Sequence, residues 1–315
     1  MSLRVSTISF LNPAPLLYNF EHEPTATALR KLYDIHYTTP ATCAAELHSG
    51  AAGLGLIPIA SLTPELAIVP GCAIASRDEV RSILLLVKNP ARLPVPEALQ
   101  QVRTLAADTA SRSSIAYARI LFEHFHQTRP TLLDHPVATP ADISSMLSTA
   151  DAALIIGDPA LLARERRTAI DARRSGIDAR RSAIGASSSA LDAAHPNLLW
   201  LDLAHLWRER TGLPWVAAVW AVRPESLAAA SLTPQQLIAD LTASRDAGLN
   251  HTQQLVNEWT PRLALSSTTI RTYLRLNIHY TLDPDCLRAI ELFRTLAAKI
   301  NALPPLPSLN LLESA

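Results

Sequence analysis

Three short stretches carry side chains that could bind or transform a small molecule. Asn12 closes SFLN at 9–12, Ser111, Ser113 and Ser114 crowd into DTASRSS at 108–114, and Gly157 and Asp158 end LIIGD at 154–158. Serines at a turn from strand to helix sit where free backbone N–H groups and the helix dipole favour an anion, and a carboxylate fits such a loop. Arg112 either pairs with that anion or points to solvent. Gly157 allows a ligand to approach backbone. Each polar residue also has a plainer reading as a helix cap: Asn12 before Pro13 or Pro15, Ser111 or Ser113 before SSIAYARILF, and Asp158 before PALL. The GLG at 53–55 lies in a strand pattern with no third glycine opening a helix, so it is no nucleotide fingerprint. No G-x-S-x-G, P-loop or zinc spacing occurs, and His124 and His126 fall on different helix faces. Neither a nucleophile, a base nor a metal site can be nominated from motifs, and no cofactor is expected.

The elements that must position these residues follow a repeated layout. LYDIHYT reads as a strand, a helix begins with Thr39 as N-cap and Pro40 at its first position and stops at Gly50, and GLGLIP is again extended. About one hundred residues later TLLDHPV, a helix from Thr139 and Pro140, and ADAALIIGD repeat the plan, while RVSTISFLN aligns with RTLAADTAS. Two α/β lobes are therefore expected, with strand ends facing a shared cleft. The first lobe is read as 1–88 with 214–315 and the second as 89–213. VRSILLLVKNPARLPVP at 80–96 serves as the outward crossing and TGLPWVAAVWAV at 211–222 as the return. The segment 223–315 is helical, with starts at Thr233-Pro234 and Asp283-Pro284, and wraps the first lobe. Residues 168–193 contain IDARRS twice and a serine-rich tail, and read as a duplicated, solvated insertion.

Composition narrows the function classes. Lys+Arg and Asp+Glu balance at 28 each, so there is no basic field for nucleic acid or an anionic membrane, and a small ligand is the default. Three isolated cysteines suggest buried thiols in a reducing compartment. The start of the chain reads as a strand rather than a signal peptide, and no apolar run approaches membrane-spanning length. A cytoplasmic protein is expected.

The ordered set SFLN, GLGLIP, PGCAIASRDEVRSILLL, DTASRSSIAYARILF, DAALIIGDPAL, LDLAHLWRERTGLPWVAAVW and NIHYTLDPD resembles the chorismate dehydratase family of the futalosine route to menaquinone. The likeness runs over most of the chain and departs from it at Ala110, Ser113 and the duplicated insertion. It implies a two-lobed fold of the type II periplasmic-binding-protein kind, with the ligand between the lobes. The implied activity is a hydro-lyase that converts chorismate to 3-[(1-carboxyvinyl)oxy]benzoate, without metal or cofactor. Carried over, Asn12 is the catalytic candidate, and Ser9, Ile57, Ser82, Ser111, Arg112, Ser113, Ser114, Gly157 and Asp158 are substrate contacts. Dihydroxynaphthoate synthase shares the implied fold but relies on a histidine near the second-lobe loop, which DTASRSSIA lacks. A non-catalytic protein of the same fold that binds a small anion is the remaining alternative.

Overall fold

The computed structural model describes residues 2–108, 111–136, 139, 141–174, 195, 197–306 and 308–313. Ten strands among them form two five-stranded sheets. β1 (Leu3–Ile8), β2 (Tyr33–Thr38), β3 (Leu54–Pro58), β4 (Ala67–Ser76) and β10 (Trp215–Val222) make the first, in the order β2-β1-β3-β10-β4. β5 (Ile83–Val87), β6 (Thr104–Ala107), β7 (Thr131–Asp134), β8 (Ala152–Ile156) and β9 (Leu199–Asp202) make the second, in the order β7-β6-β8-β5-β9. β1 runs parallel to β2 and β3, as β6 does to β7 and β8. The fourth strand of each sheet, β10 or β5, is antiparallel to both its neighbours. The hundred-residue offset in the sequence is thus a repeat of topology.

The central strands β3 and β5 are buried at every position, because helices cover both faces, and they accordingly read as continuous apolar runs. Local signals set most helix starts. Thr39 accepts from Thr42 N–H ahead of the helix Pro40–Ser49, which ends on Gly50 at φ 78°. Thr233 and Asp283 cap the helices Pro234–Asn250 and Pro284–Lys299 in the same manner. At the second TPA the outcome differs. The helix begins at Asp142, whose carboxylate accepts from both the N–H and the hydroxyl of Thr139, so Thr139 acts as donor rather than cap, and Pro140 lies outside the described residues. The crossing also differs. The sequence reading puts ILLLV in the first unit, whereas β5 pairs with β8 and β9, so the chain leaves the first sheet at 77–82, before that strand. The helix Gly157–Arg174 reaches into the duplicated stretch, of which residues 175–193 lie outside the described residues.

The C-terminal helices pack on the first sheet and fix the segment that carries Asn12. The short helix Ala14–Leu17 lies against Pro234–Asn250, so closely that a Cβ on Gly248 would sit 2.3 Å from the Pro15 carbonyl oxygen and 2.5 Å from its Cα. Those obstacles are backbone and cannot rotate away. Gly248→Ala is expected to lose about 1–3 kcal/mol, the range for overpacking a tight contact, measured by urea denaturation. An unchanged midpoint would mean that the two segments separate without penalty.

Candidate functional site

The strand ends of both sheets converge on a cleft of about 70 Å³, room for a few water molecules. Ile8, Leu56, Pro58, Ile74, Trp215, Ala217 and Ala218 line it from the first sheet and its extensions, and Ile83 and Ile156 from the second. Its polar lining is Asn12, Ser82, Ser111, Ser113, Ser114 and the Gly157 backbone. Among the described residues no ionisable side chain lines the cleft, so its chemistry rests on amide, hydroxyl and backbone groups.

Asn12 is no helix cap. The short helix after it has Pro13 at its N-cap position with no side-chain capping bond, and the buried Asn12 Oδ1 has no hydrogen-bond partner among the described residues. A buried acceptor without a partner is costly, and a ligand hydroxyl would satisfy this one. Trp215 Nε1 is likewise buried without a partner and belongs to the same lining, which adds a donor that motif reading missed.

The serines divide by role. Ser111 stands before the helix Arg112–Arg119 with no side-chain capping bond, and Ser114 is 3% exposed on its first turn. A helix start leaves its first N–H groups without intrahelical partners, so this loop can receive an anion. Ser113 is engaged already: its hydroxyl accepts from Ala60 N–H at 3.2 Å and donates to the Ala217 carbonyl at 3.4 Å. It stitches the second unit to the first, as does Tyr117, whose hydroxyl donates to the Val216 carbonyl at 3.1 Å.

Ser82 and Gly157 form a corner below the cleft. Gly157 N–H donates to the Ser82 carbonyl at 2.7 Å, and Gly157 adopts φ 69°, where a side chain would be strained. Asp158 begins the same helix outside the lining; burial pushes its carboxyl up to about 6, while the Leu11 N–H facing it pulls the other way. This joins Asp158 to the residue beside Asn12. Because the folded value exceeds the ordinary 3.8, the native state keeps a proton that the unfolded chain has released between pH 3.8 and about 6. Stability from this group is therefore present at acid pH and lost as pH rises through about 6. Asp158→Asn is expected to flatten that part of a plot of Tm against pH and to exceed the wild type in unfolding free energy at pH 8 by about 3 kcal/mol. Parallel wild-type and variant profiles would assign the buried carboxyl an ordinary pKa.

Besides Asp158, three expected contacts lie elsewhere. Ile57 is fully buried with its side chain against Gly55, on the opposite face of β3 from Leu56 and Pro58. Arg112 is exposed and off the lining. Ser9 is exposed and faces a groove of about 720 Å³ along β2 that adjoins the cleft at Ile8 and Phe10 and is lined also by Glu21, Asp34, Tyr37, Trp259 and Arg262. That groove is larger than the cleft, but Tyr37 bonds Glu21 and Arg4 pairs with Asp34, so much of its polarity is already satisfied. The cleft, with two orphaned polar atoms, is the better ligand site.

Cys43, Cys72 and Cys286 are buried free thiols, pushed by burial up to about 11, 11 and 12, and are unsuited to nucleophilic work. His279, Asp283 and Cys286 cluster closely enough to hold a metal, but Asp283 already caps a helix and pairs with Arg77 and His279. No helix among the described residues is long and apolar enough to cross a membrane.

Comparisons with known proteins agree with this architecture. A family model described as menaquinone biosynthesis matches residues 3–173 and 183–299. A chorismate dehydratase from Thermus thermophilus is 26% identical over 264 residues, covering 81% of this chain and 83% of that protein. Protein AF1704 from Archaeoglobus fulgidus superposes with a TM-score of 0.62 at 13% identity, covering 96% of this chain and 98% of that one. The periplasmic aliphatic sulphonate binding protein SsuA from Escherichia coli gives 0.59 at 13% identity, covering 96% and 94%. The fold is therefore of the periplasmic-binding-protein kind, with two α/β units and a cleft between them.

Proposed function

The chain belongs to the menaquinone-biosynthesis family, and on that footing we propose that it is a chorismate dehydratase, a hydro-lyase that forms 3-[(1-carboxyvinyl)oxy]benzoate and water. The observation that carries the reading is the unpartnered Asn12 Oδ1, buried in a cleft whose other polar groups suit carboxylates. Chorismate offers a hydroxyl at C4 for that acceptor and two carboxylates for the hydroxyls and N–H groups around it.

The reaction removes the C3 proton and expels the C4 hydroxyl. Charge developing at C3 delocalises through C2=C1 toward the ring carboxylate, and aromatisation drives the departure of hydroxide. In this reading Asn12 orients the C4 hydroxyl through Oδ1 and donates from Nδ2 as that oxygen gains charge. Ser82, Ser111 and Ser114 grip the carboxylates. The absence of an ionisable side chain from the lining, among the described residues, supports a substrate-assisted route in which the enolpyruvyl carboxylate takes the proton. The small volume requires the two units to part at 77–82 and 212–214 before chorismate enters.

Incubating the purified protein with chorismate should yield the dehydrated aromatic product by mass and by ultraviolet absorbance. Tight binding without product would favour the anion-binding alternative. A second assignment makes Asp158 the base, favoured by its pKa of about 6. Its engagement with Leu11 N–H and its position outside the lining argue against that role, and unchanged turnover in Asp158→Asn would eliminate it.

A further inference from the structure

The cleft hydroxyl of Ser82 has a buried phenol behind it. Tyr273, 1% exposed and contributed by the C-terminal segment, places its hydroxyl 2.8 Å from Ser82 Oγ. A phenol is a stronger acid than an aliphatic alcohol, so Tyr273 is the donor and Ser82 Oγ the acceptor. The serine hydrogen is then left to point elsewhere, and Ser82 lines the cleft. The Ser82 carbonyl is held separately by Gly157 N–H at 2.7 Å, so the backbone on which this hydroxyl stands is itself fixed.

We propose that Tyr273 is a positioning residue: by donating to Ser82 Oγ it commits the Ser82 hydrogen to the cleft, as a donor to a ligand carboxylate oxygen. Two hydrogen bonds in series polarise one another, so the serine becomes a better donor than an isolated hydroxyl. The arrangement also favours an accepting ligand group, since one lone pair of Ser82 Oγ is taken by Tyr273 and its hydrogen is left for the ligand. Burial raises the Tyr273 phenol well above its ordinary range, which keeps it protonated and donating at any working pH. Ser82 immediately precedes β5 of the second sheet, whereas Tyr273 packs with the first unit, so the pair spans the crossing at which the cleft opens. The inference rests on the reading of the cleft as a carboxylate site.

The test is a double-variant cycle with Tyr273→Phe, Ser82→Ala and the two combined. Each protein is titrated with chorismate by calorimetry and assayed for turnover. The phenylalanine ring preserves the packing, and a thermal melt verifies it. Tyr273→Phe should raise Kd and KM for chorismate about tenfold with kcat within about threefold. In the Ser82→Ala background the same change should have no further effect, because the hydroxyl it acts through is gone. Equal losses in both backgrounds, or an unaltered Kd in Tyr273→Phe, would overturn the relay and leave Tyr273 a packing residue. If the wild type binds no chorismate, the dehydratase reading fails instead. The same four proteins are then titrated with millimolar 3-hydroxybenzoate as a plain carboxylate probe: affinity lost on Tyr273→Phe only when Ser82 is present sustains the relay, and four equal affinities overturn it.

Discussion

Asn12→Ala is expected to fold as the wild type does and to turn over chorismate 10²–10³-fold more slowly, on the order of the effect of removing one preorganised polar group from a reacting centre. Both halves of that expectation come from one observation. The amide oxygen has no partner among the described residues and caps no helix, so removing it costs no hydrogen bond of that oxygen among them and relieves a buried acceptor. A denaturation midpoint within about 0.5 kcal/mol of wild type is the predicted structural readout. The kinetic readout separates two roles. If the amide assists the departing hydroxyl, the single-turnover rate constant falls while chorismate Kd changes little. If it only holds the ring, Kd rises and the rate at saturation survives. Full activity at all substrate concentrations would remove Asn12 from the mechanism.

Asp202→Ala is expected to do the reverse, harming stability first and activity as a consequence. This carboxylate is buried at the end of β9 and organises the outward crossing: Oδ1 accepts from Val80 N–H at 3.2 Å, and Oδ2 accepts from Arg81 N–H at 2.7 Å and from the Arg164 guanidinium at 3.1 Å. It also caps the helix Leu203–Thr211 by accepting from Ala204 and His205 N–H. Arg81 is held at φ 64°, the left-handed region where a β-carbon is strained, directly before Ser82. Removing the carboxylate leaves the Arg164 charge with Glu79 as its remaining carboxylate among the described residues, strips two N–H groups of the crossing of their acceptor and deletes a cap. Loss of a buried pair costs about 3–5 kcal/mol, a large fraction of the stability of an ordinary domain. Urea midpoints measure it. Where the variant is folded, KM for chorismate should rise because Ser82 is no longer fixed. A change below about 1 kcal/mol would mean that the crossing finds other acceptors.

Several features were legible before any coordinates. Thr39-Pro40, Thr233-Pro234 and Asp283-Pro284 marked helix starts correctly because an N-cap and its N–H partner are three residues apart. The offset between the two TPA units anticipated the paired sheet orders because a βαβ unit carries its own turn and strand signals. Asn12, Ser82, Ser111, Ser113, Ser114 and Gly157, drawn from separate motifs, line one cleft. Other readings missed. ILLLV gives the same apolar run in either sheet, so only pairing with β8 and β9 assigns it to the second. GLGLIP is buried throughout, so alternation could not reveal that Leu56 and Pro58 face the cleft and Ile57 the core.

The sequence by itself determined the class of fold, the family and the loops that carry the polar groups, since these depend on periodicity, capping and short motifs within a few residues of one another. Tertiary structure decided which of those groups are free to meet a ligand. Ser113 is occupied by Ala60 and Ala217, Ser82 Oγ accepts from Tyr273, 191 residues away, and Asp158 faces Leu11 and lies off the cleft lining. Each outcome depends on a partner distant in the chain, and whether a polar group is spent or available is a property of where its hydrogen bonds end.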